Sequence, residues 1–199
     1  MMNSTVKRLI TLLFTGVLLA ALLTACGDKA EDTAKGAADA NGNFQLEELT
    51  VDVFADYDLT LVNAFATWCG PCIKEIPELD QLRKDFADKN VNVIGVALDT
   101  KVPTKENNVT GVLDQNAVNK VGELIEKTGV TYPMYIPDMT MWDGALTTIE
   151  SLPTTFFVDS CGNIVGEAYI GARSLEDWTK IVEFEMGRDT VVETREARK

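Results

Sequence analysis

Two cysteines separated by two residues, Cys69 and Cys72, are the side chains in this sequence best suited to chemistry. With two residues between them, both sulfurs can approach, so the pair can close to a disulfide and reopen with little backbone movement. Such a pair exchanges electrons with other thiols through a mixed disulfide. The same spacing also makes half of a zinc site, but zinc needs two further ligands. The chain has no histidine, and its other cysteines, Cys26 and Cys161, stand far away in the sequence. Redox chemistry is therefore the expectation, and no metal site is expected. The lack of histidine also removes Ser/His and Cys/His nucleophilic mechanisms. Proton transfer is left to thiols, carboxylates, lysines or water.

The pair must be positioned by the elements on either side. Residues 59–66 form an apolar run suited to a buried strand. Residues 71–86 carry Ile73, Ile76, Leu79, Leu82 and Phe86 at spacings of three and four, the pattern of an amphipathic helix. Pro71 fits the first turn, where its missing N–H costs nothing. Pro77 lies further in and is expected to kink the helix. Cys69 then sits where the strand ends and the helix begins. Free N–H groups and the helix dipole favour an anion there, so the sulfur is a better thiolate. Cys69 is expected to attack a substrate disulfide, and Cys72, one turn inward, to resolve the mixed disulfide.

The remaining pattern is also α/β. Residues 44–54 are read as one or two short strands and 91–98 as a second buried strand. A helix is expected over 115–127, with Val118, Val121, Leu124 and Ile125 on one side and Gly129 as its stop. Residues 154–159 and 164–170 form a strand pair around the turn Ser160-Cys161-Gly162-Asn163. Ser174 caps a last helix reaching about Met186. This order gives a central mixed sheet flanked by helices. Tyr132, Met134, Tyr135, Met139, Met141 and Trp142 are read as core in preference to a substrate face, whereas Trp68 beside Cys69 is expected to face partners. Cys161, eight residues after Pro153, falls at the far end of the hairpin, roughly 20 Å away at strand rise, and is read as incidental.

Charge narrows the partners. Asp and Glu number 31 against 18 Lys and Arg, a formal net charge of −13. An acidic surface argues against nucleic acid, which calls for a basic one, and against an electrostatic hold on anionic lipid. The first residues are an exception, with Lys7 and Arg8 ahead of an apolar run over 9–23. That run is short for a membrane span and fits a secretory signal. It ends in Leu23-Thr24-Ala25-Cys26, which resembles the bacterial lipobox. The resemblance implies removal of residues 1–25 as a signal peptide and lipidation of Cys26. Residues 26–43 read as a flexible tether of small and polar residues, 44–187 as the folded domain, and 188–199 as a polar tail.

Trp68-Cys69-Gly70-Pro71-Cys72 after an apolar strand resembles the active-site sequence of the thioredoxin family. Leu152-Pro153-Thr154-Thr155-Phe156-Phe157-Val158-Asp159 with Gly162-Asn163-Ile164 resembles its second landmark. The resemblance implies a cis Pro153 packed against the active-site disulfide and a Leu152 backbone available to an extended substrate. Trp68, Gly70, Pro71, Leu152 and Pro153 are thus the expected substrate-binding residues. Glu75-Ile76-Pro77, the long stretch between Leu98 and Leu152, and Thr131-Tyr132-Pro133 are similar to the membrane-tethered TlpA/ResA branch of the redoxin superfamily. That likeness implies an N-terminal strand extension, an insertion of the TlpA/ResA type, and a part for Glu75 alongside Cys69 and Cys72. Glu75 could relay a proton or could be a solvated helix charge. Asn63 stands where cytoplasmic thioredoxins carry a buried acid, so proton assistance must come from Glu75 or water, or else Asn63 is a structural amide.

The expected activity is a thiol–disulfide oxidoreductase on the extracytoplasmic face of the bacterial cytoplasmic membrane. The resemblance implies that it would reduce secreted proteins or apocytochrome c and take electrons from a transmembrane thiol carrier of the CcdA/DsbD type. No cofactor beyond the redox-active disulfide is expected, and nothing demands more than a monomer. Two alternatives stand beside it. A peroxiredoxin-like peroxidase would need a proline and threonine spaced before its cysteine, and residues 64–69 lack the proline. A redox-silent binding lipoprotein would have no use for an intact cysteine pair.

Overall fold

The computed structural model describes residues 36, 38–102, 111–138 and 145–196, which belong to a single unit, Thr33–Lys199. The signal peptide and Cys26 lie outside the described residues, as do most of the tether and Met139, Met141 and Trp142. The architecture follows from strands whose two faces are both apolar. Strand β1 (Leu59–Phe65) is buried at every position, as is β2 (Val91–Ala97). Between them lies helix α1 (Gly70–Asp85). The chain then forms a short two-stranded ribbon, β3 (Lys101–Val102) with β4 (Val112–Leu113), helix α2 (Gln115–Thr128), and the short strand β5 (Met134–Tyr135). Strands β6 (Thr154–Asp159) and β7 (Ile164–Ile170) and helix α3 (Leu175–Glu196) complete it.

The five-stranded sheet has the order β5-β2-β1-β6-β7. Strands β5, β2 and β1 run parallel, and β6 and β7 are antiparallel additions. Because successive side chains point to opposite faces, β1 divides its residues cleanly. Leu59, Leu61 and Phe65 join the core containing Ile76, Leu79 and Leu82 of α1 and Trp178 and Val182 of α3. Val62 joins a second core on the other face, with Leu49, Phe54, Ile94 and Phe156. Asn63 shares the parity of Leu61 and Phe65 and therefore faces the helices. Its neighbour in register on β6 is Thr155.

Helix α1 starts at the expected place, with Cys69 as N-cap, and runs through Pro77 as one element, with the proline ring on the exposed side. Asp114 caps α2 by accepting from the N–H groups of Asn116 and Ala117, and Gly129 ends it at φ +67°. Ser174 accepts from the Asp177 N–H at the start of α3.

Three expectations are corrected. Residues 44–54 form no strand. Phe44 makes an isolated bridge with Ala38, Glu48 makes one with Ile136, and Val51–Phe54 then turns as a 3-10 helix. Ladder formation stops at Glu48 because the chain coils as soon as it has packed Leu49 onto the sheet. Helix α3 continues to Glu196, well past Met186, because Gly187 keeps a helical φ. The end of the supposed tether is ordered locally: the Asp39 carboxylate accepts from the N–H groups of Asn41 and Asn43 and closes a turn over 39–43. Tyr132, Met134 and Tyr135 are core residues, as expected. Among the described residues no helix is long and apolar enough to cross a membrane.

Candidate active site

Cys69 and Cys72 form a disulfide, with their Cα atoms 5.3 Å apart. The turn that delivers them is fixed by main-chain bonds. The Cys69 N–H donates to the Ala66 carbonyl at 3.0 Å, and the Cys72 N–H points at the Cys69 sulfur at 3.4 Å. The helix start therefore directs donors at Cys69, the arrangement that stabilises its thiolate after reduction. Cys72 is fully buried and Cys69 is 5% exposed, while the neighbouring Trp68 is 72% exposed. Trp68 thus stands out beside the disulfide, as the sequence suggests.

A second anchor was not foreseen from the sequence. Asp99, in the turn after β2, accepts from the Thr67 N–H through both carboxylate oxygens, at 3.2 and 3.1 Å, and from the Thr67 hydroxyl at 2.6 Å. It thereby ties the residue before Trp68 to the end of the adjacent strand. An acid just beyond a buried strand is the one sequence signal that could have pointed to it.

The Leu152–Pro153 peptide bond is cis, as the resemblance implies. A groove of about 480 Å3 runs between the disulfide and this loop, bounded by Trp68, Cys69, Leu98, Leu146, Ile149 and Leu152. Gly70 and Pro71 lie at its edge and also border a second groove of about 520 Å3 on the opposite side. The lining of the second groove includes the charged side chains Lys74, Glu75, Glu78, Arg173 and Asp177. Cys161 is an exposed free thiol in the β6–β7 turn, at the end of β6 away from Pro153.

Glu75 is not a solvated helix charge. It is 2% exposed and lies on the stripe Cys72, Glu75, Ile76, Leu79, Leu82 that α1 buries. A buried carboxylate must be hydrogen-bonded, and all its observed partners come from outside its own helix. Oε1 accepts from the main-chain N–H of Arg173 at 2.7 Å and from the Trp178 indole Nε1 at 2.8 Å. Oε2 accepts from Asn63 Nδ2 at 3.2 Å, and Asn63 in turn donates to Thr155 Oγ1 at 2.9 Å. Burial pushes the Glu75 carboxyl above its ordinary range, the Arg173, Trp178 and Asn63 hydrogen bonds and the Arg173 charge only partly opposing it. The Tyr132 phenol is held above its usual range by burial and by the charges of Glu75 and Asp80. Asn63 is thus the amide that holds Glu75. Arg173 and Trp178 went unnoticed in the sequence because one reads as a loop charge and the other as helix core.

A disulfide at a helix N-terminus, a cis-proline loop facing it and a buried acid one turn on define a thioredoxin-fold thiol–disulfide oxidoreductase. Residues 26–166 match the AhpC/TSA family, and the chain belongs to that family. It is 28% identical over 172 residues to the thiol-disulfide oxidoreductase ResA of Oceanobacillus iheyensis, covering 80% of this chain and 79% of that one. It is 26% identical to the thioredoxin-like protein YneN of Bacillus subtilis, over 59% of each chain. With ResA of Bacillus anthracis the identity is 29%, over 58% of this chain and 56% of the relative. The match thus spans little more than half of the latter two. A thioredoxin-family thiol:disulfide interchange protein from Chlorobium tepidum superposes with a TM-score of 0.52 at 23% identity, over 80% of this chain and 99% of that one. It shares the fold.

Asp99→Ala is expected to leave the Thr67 N–H without its acceptor and to lower stability by about 2 kcal/mol in urea unfolding, the usual scale for losing hydrogen bonds to a charged group. Asp99→Asn, which keeps one acceptor oxygen, should fall between. Equal midpoints for all three proteins would show that the anchor contributes nothing.

Proposed function

We propose that this protein is a lipid-anchored extracytoplasmic reductase of disulfides in secreted proteins, apocytochrome c among them. The observation that carries the reading is the Cys69–Cys72 pair at the start of α1, bordering an apolar groove beside the cis-proline loop. A protein disulfide approaching in extended form would lie in that groove against Trp68 and Leu152.

The chemistry balances without a further cofactor. In the reduced protein the Cys69 thiolate attacks one substrate sulfur. A Cys69–substrate disulfide forms, the substrate S–S bond breaks, and the other substrate sulfur leaves as a thiolate that takes a proton from water. Cys72 then loses its proton and attacks the Cys69 sulfur. The mixed disulfide breaks, the second substrate thiol leaves, and the Cys69–Cys72 disulfide returns with two electrons delivered. Buried Cys72 needs a nearby base, and Glu75, one helical turn further along, is suited to that part. Its raised carboxyl brings its proton affinity closer to that of a thiol. Glu75 also borders the second groove, which gives the proton a way out to water. A membrane thiol carrier of the CcdA/DsbD type would reverse the exchange and restore the dithiol.

Three experiments test this reading. Cys69→Ser should abolish reduction of insulin with dithiothreitol as donor, while Cys161→Ser should leave it unchanged; equal loss in both would sink the two-cysteine mechanism. Equilibration with thiol buffers should place the Cys69–Cys72 couple near the thioredoxin value of about −270 mV, as a reductase requires. A value near about −120 mV would reverse the direction and make the protein an oxidant. Cys26→Ala should move the protein from the membrane pellet to the soluble fraction. Retention in the pellet would assign the anchor to the apolar N-terminal segment.

A further inference from the structure

Arg173, in the loop between β7 and α3, holds several groups at once. Its main-chain N–H donates to Glu75 Oε1. Its Nη1 donates to the carbonyls of Ile170 and Gly171, at 3.2 and 2.7 Å. Its guanidinium carbon lies 5.3 Å from the ring centroids of both Tyr169 and Trp178. Gly171 makes the curl possible, since its φ of +87° turns the chain back on itself. Trp178 is thus shared, its ring lying against the cation and its N–H donating to the same Glu75 oxygen. Contacts of this kind immobilise a side chain that otherwise loses much rotamer freedom on fixing.

We propose that Arg173 is a positioning residue for the proton step, holding a fixed positive charge against the Trp178 ring whose N–H donates to Glu75, and thereby influencing the pH at which Glu75 can receive a proton. This inference rests on the reading of Glu75 as the base for Cys72. The groups around Glu75 leave Arg173 the distinctive part. Its own helix contributes Lys74 and Glu78 to the same groove, and α3 contributes Asp177. Strand β1 contributes the neutral Asn63, and the Tyr132 phenol is buried on the core side. Glu78 accepts from the Leu175 N–H at 3.2 Å, so its charge is directed to the first turn of α3. Lys74 is exposed, whereas the Arg173 cation is bonded to main-chain carbonyls and lies against two rings. A charge fixed in place beside a partly desolvated carboxylate acts on it more strongly than a screened one. Its positive sign favours the ionised form and works against burial.

The test is a carboxyl 13C NMR titration of Glu75 in the full-length oxidised protein, with the pH profile of insulin reduction measured alongside. Arg173→Met keeps the main-chain N–H and much of the stem but removes the charge. The Glu75 midpoint should move to higher pH, the acid becoming weaker by about two- to threefold, a smaller effect than that of an opposite charge in direct contact. Arg173→Lys should restore most of the shift. The acidic limb of the activity profile should move in the same direction as the midpoint. Arg173→Gln serves in place of Arg173→Met if the latter does not fold. An unmoved midpoint in whichever neutral variant folds overturns the proposal. Glu75→Gln separates the two readings: a profile unchanged by Glu75→Gln removes Glu75 from the proton step, and a profile it alters, with a midpoint insensitive to Arg173, removes only Arg173.

Discussion

The structure is organised around a carboxylate that should not be where it is. Glu75 lies among Cys72, Ile76, Leu79 and Leu82 on the buried stripe of α1, where an unpaired charge would be costly. Helix α1 has no spare donors there, since its own N–H groups are committed to its ladder. Donors therefore come from β1 and from the segment that opens α3. The need to satisfy one side chain brings the central strand, the active-site helix and the C-terminal helix into register.

The same need explains the manner in which α3 docks. Two acids of α1 one turn apart, Glu75 and Glu78, accept from the N–H groups of Arg173 and Leu175. Glu78 serves as an external cap for the first turn of α3, where donors are unsatisfied and negative charge is favoured, and Glu75 fixes the loop residue just ahead of it. Ser174 supplies the internal cap. Trp178 and Val182 then continue the docked face as apolar burial. Polar contacts set where this helix begins, and apolar area holds it down.

Much of this was legible in the sequence. Strands β1, β2, β6 and β7 and both inner helices emerge from apolar runs and periodicity, because each is long and buries a defined face. The cysteine pair stands out because spacing and residue type alone specify its chemistry. Residues 44–54 were misread because their mixed apolar pattern suits a packed coil as well as a strand, and only the fold decides between them. The partners of Glu75 were hidden for a different reason. Arg173 and Trp178 are about a hundred residues from it, and no local pattern encodes a contact that the topology creates. The stripe from Cys72 to Leu82 did carry the information that Glu75 is buried. Reading the apolar face from Ile73 instead placed it slightly off and left open whether the acid was buried or solvated.

The start of α1 borders two grooves that differ in the side chains they present. On the Trp68 and Leu152 side the walls are largely apolar, so a bound peptide would displace water from the reacting sulfurs. On the Arg173 side the lining includes Lys74, Glu78, Arg173 and Asp177, and Glu75 stands between that groove and the core around Cys72. Gly70 and Pro71 border both grooves: glycine adds no bulk to either wall, and proline gives up an N–H that the first turn does not need. The dipeptide between the cysteines is therefore a thin partition as well as a spacer. Replacing it with larger residues would alter both grooves at once.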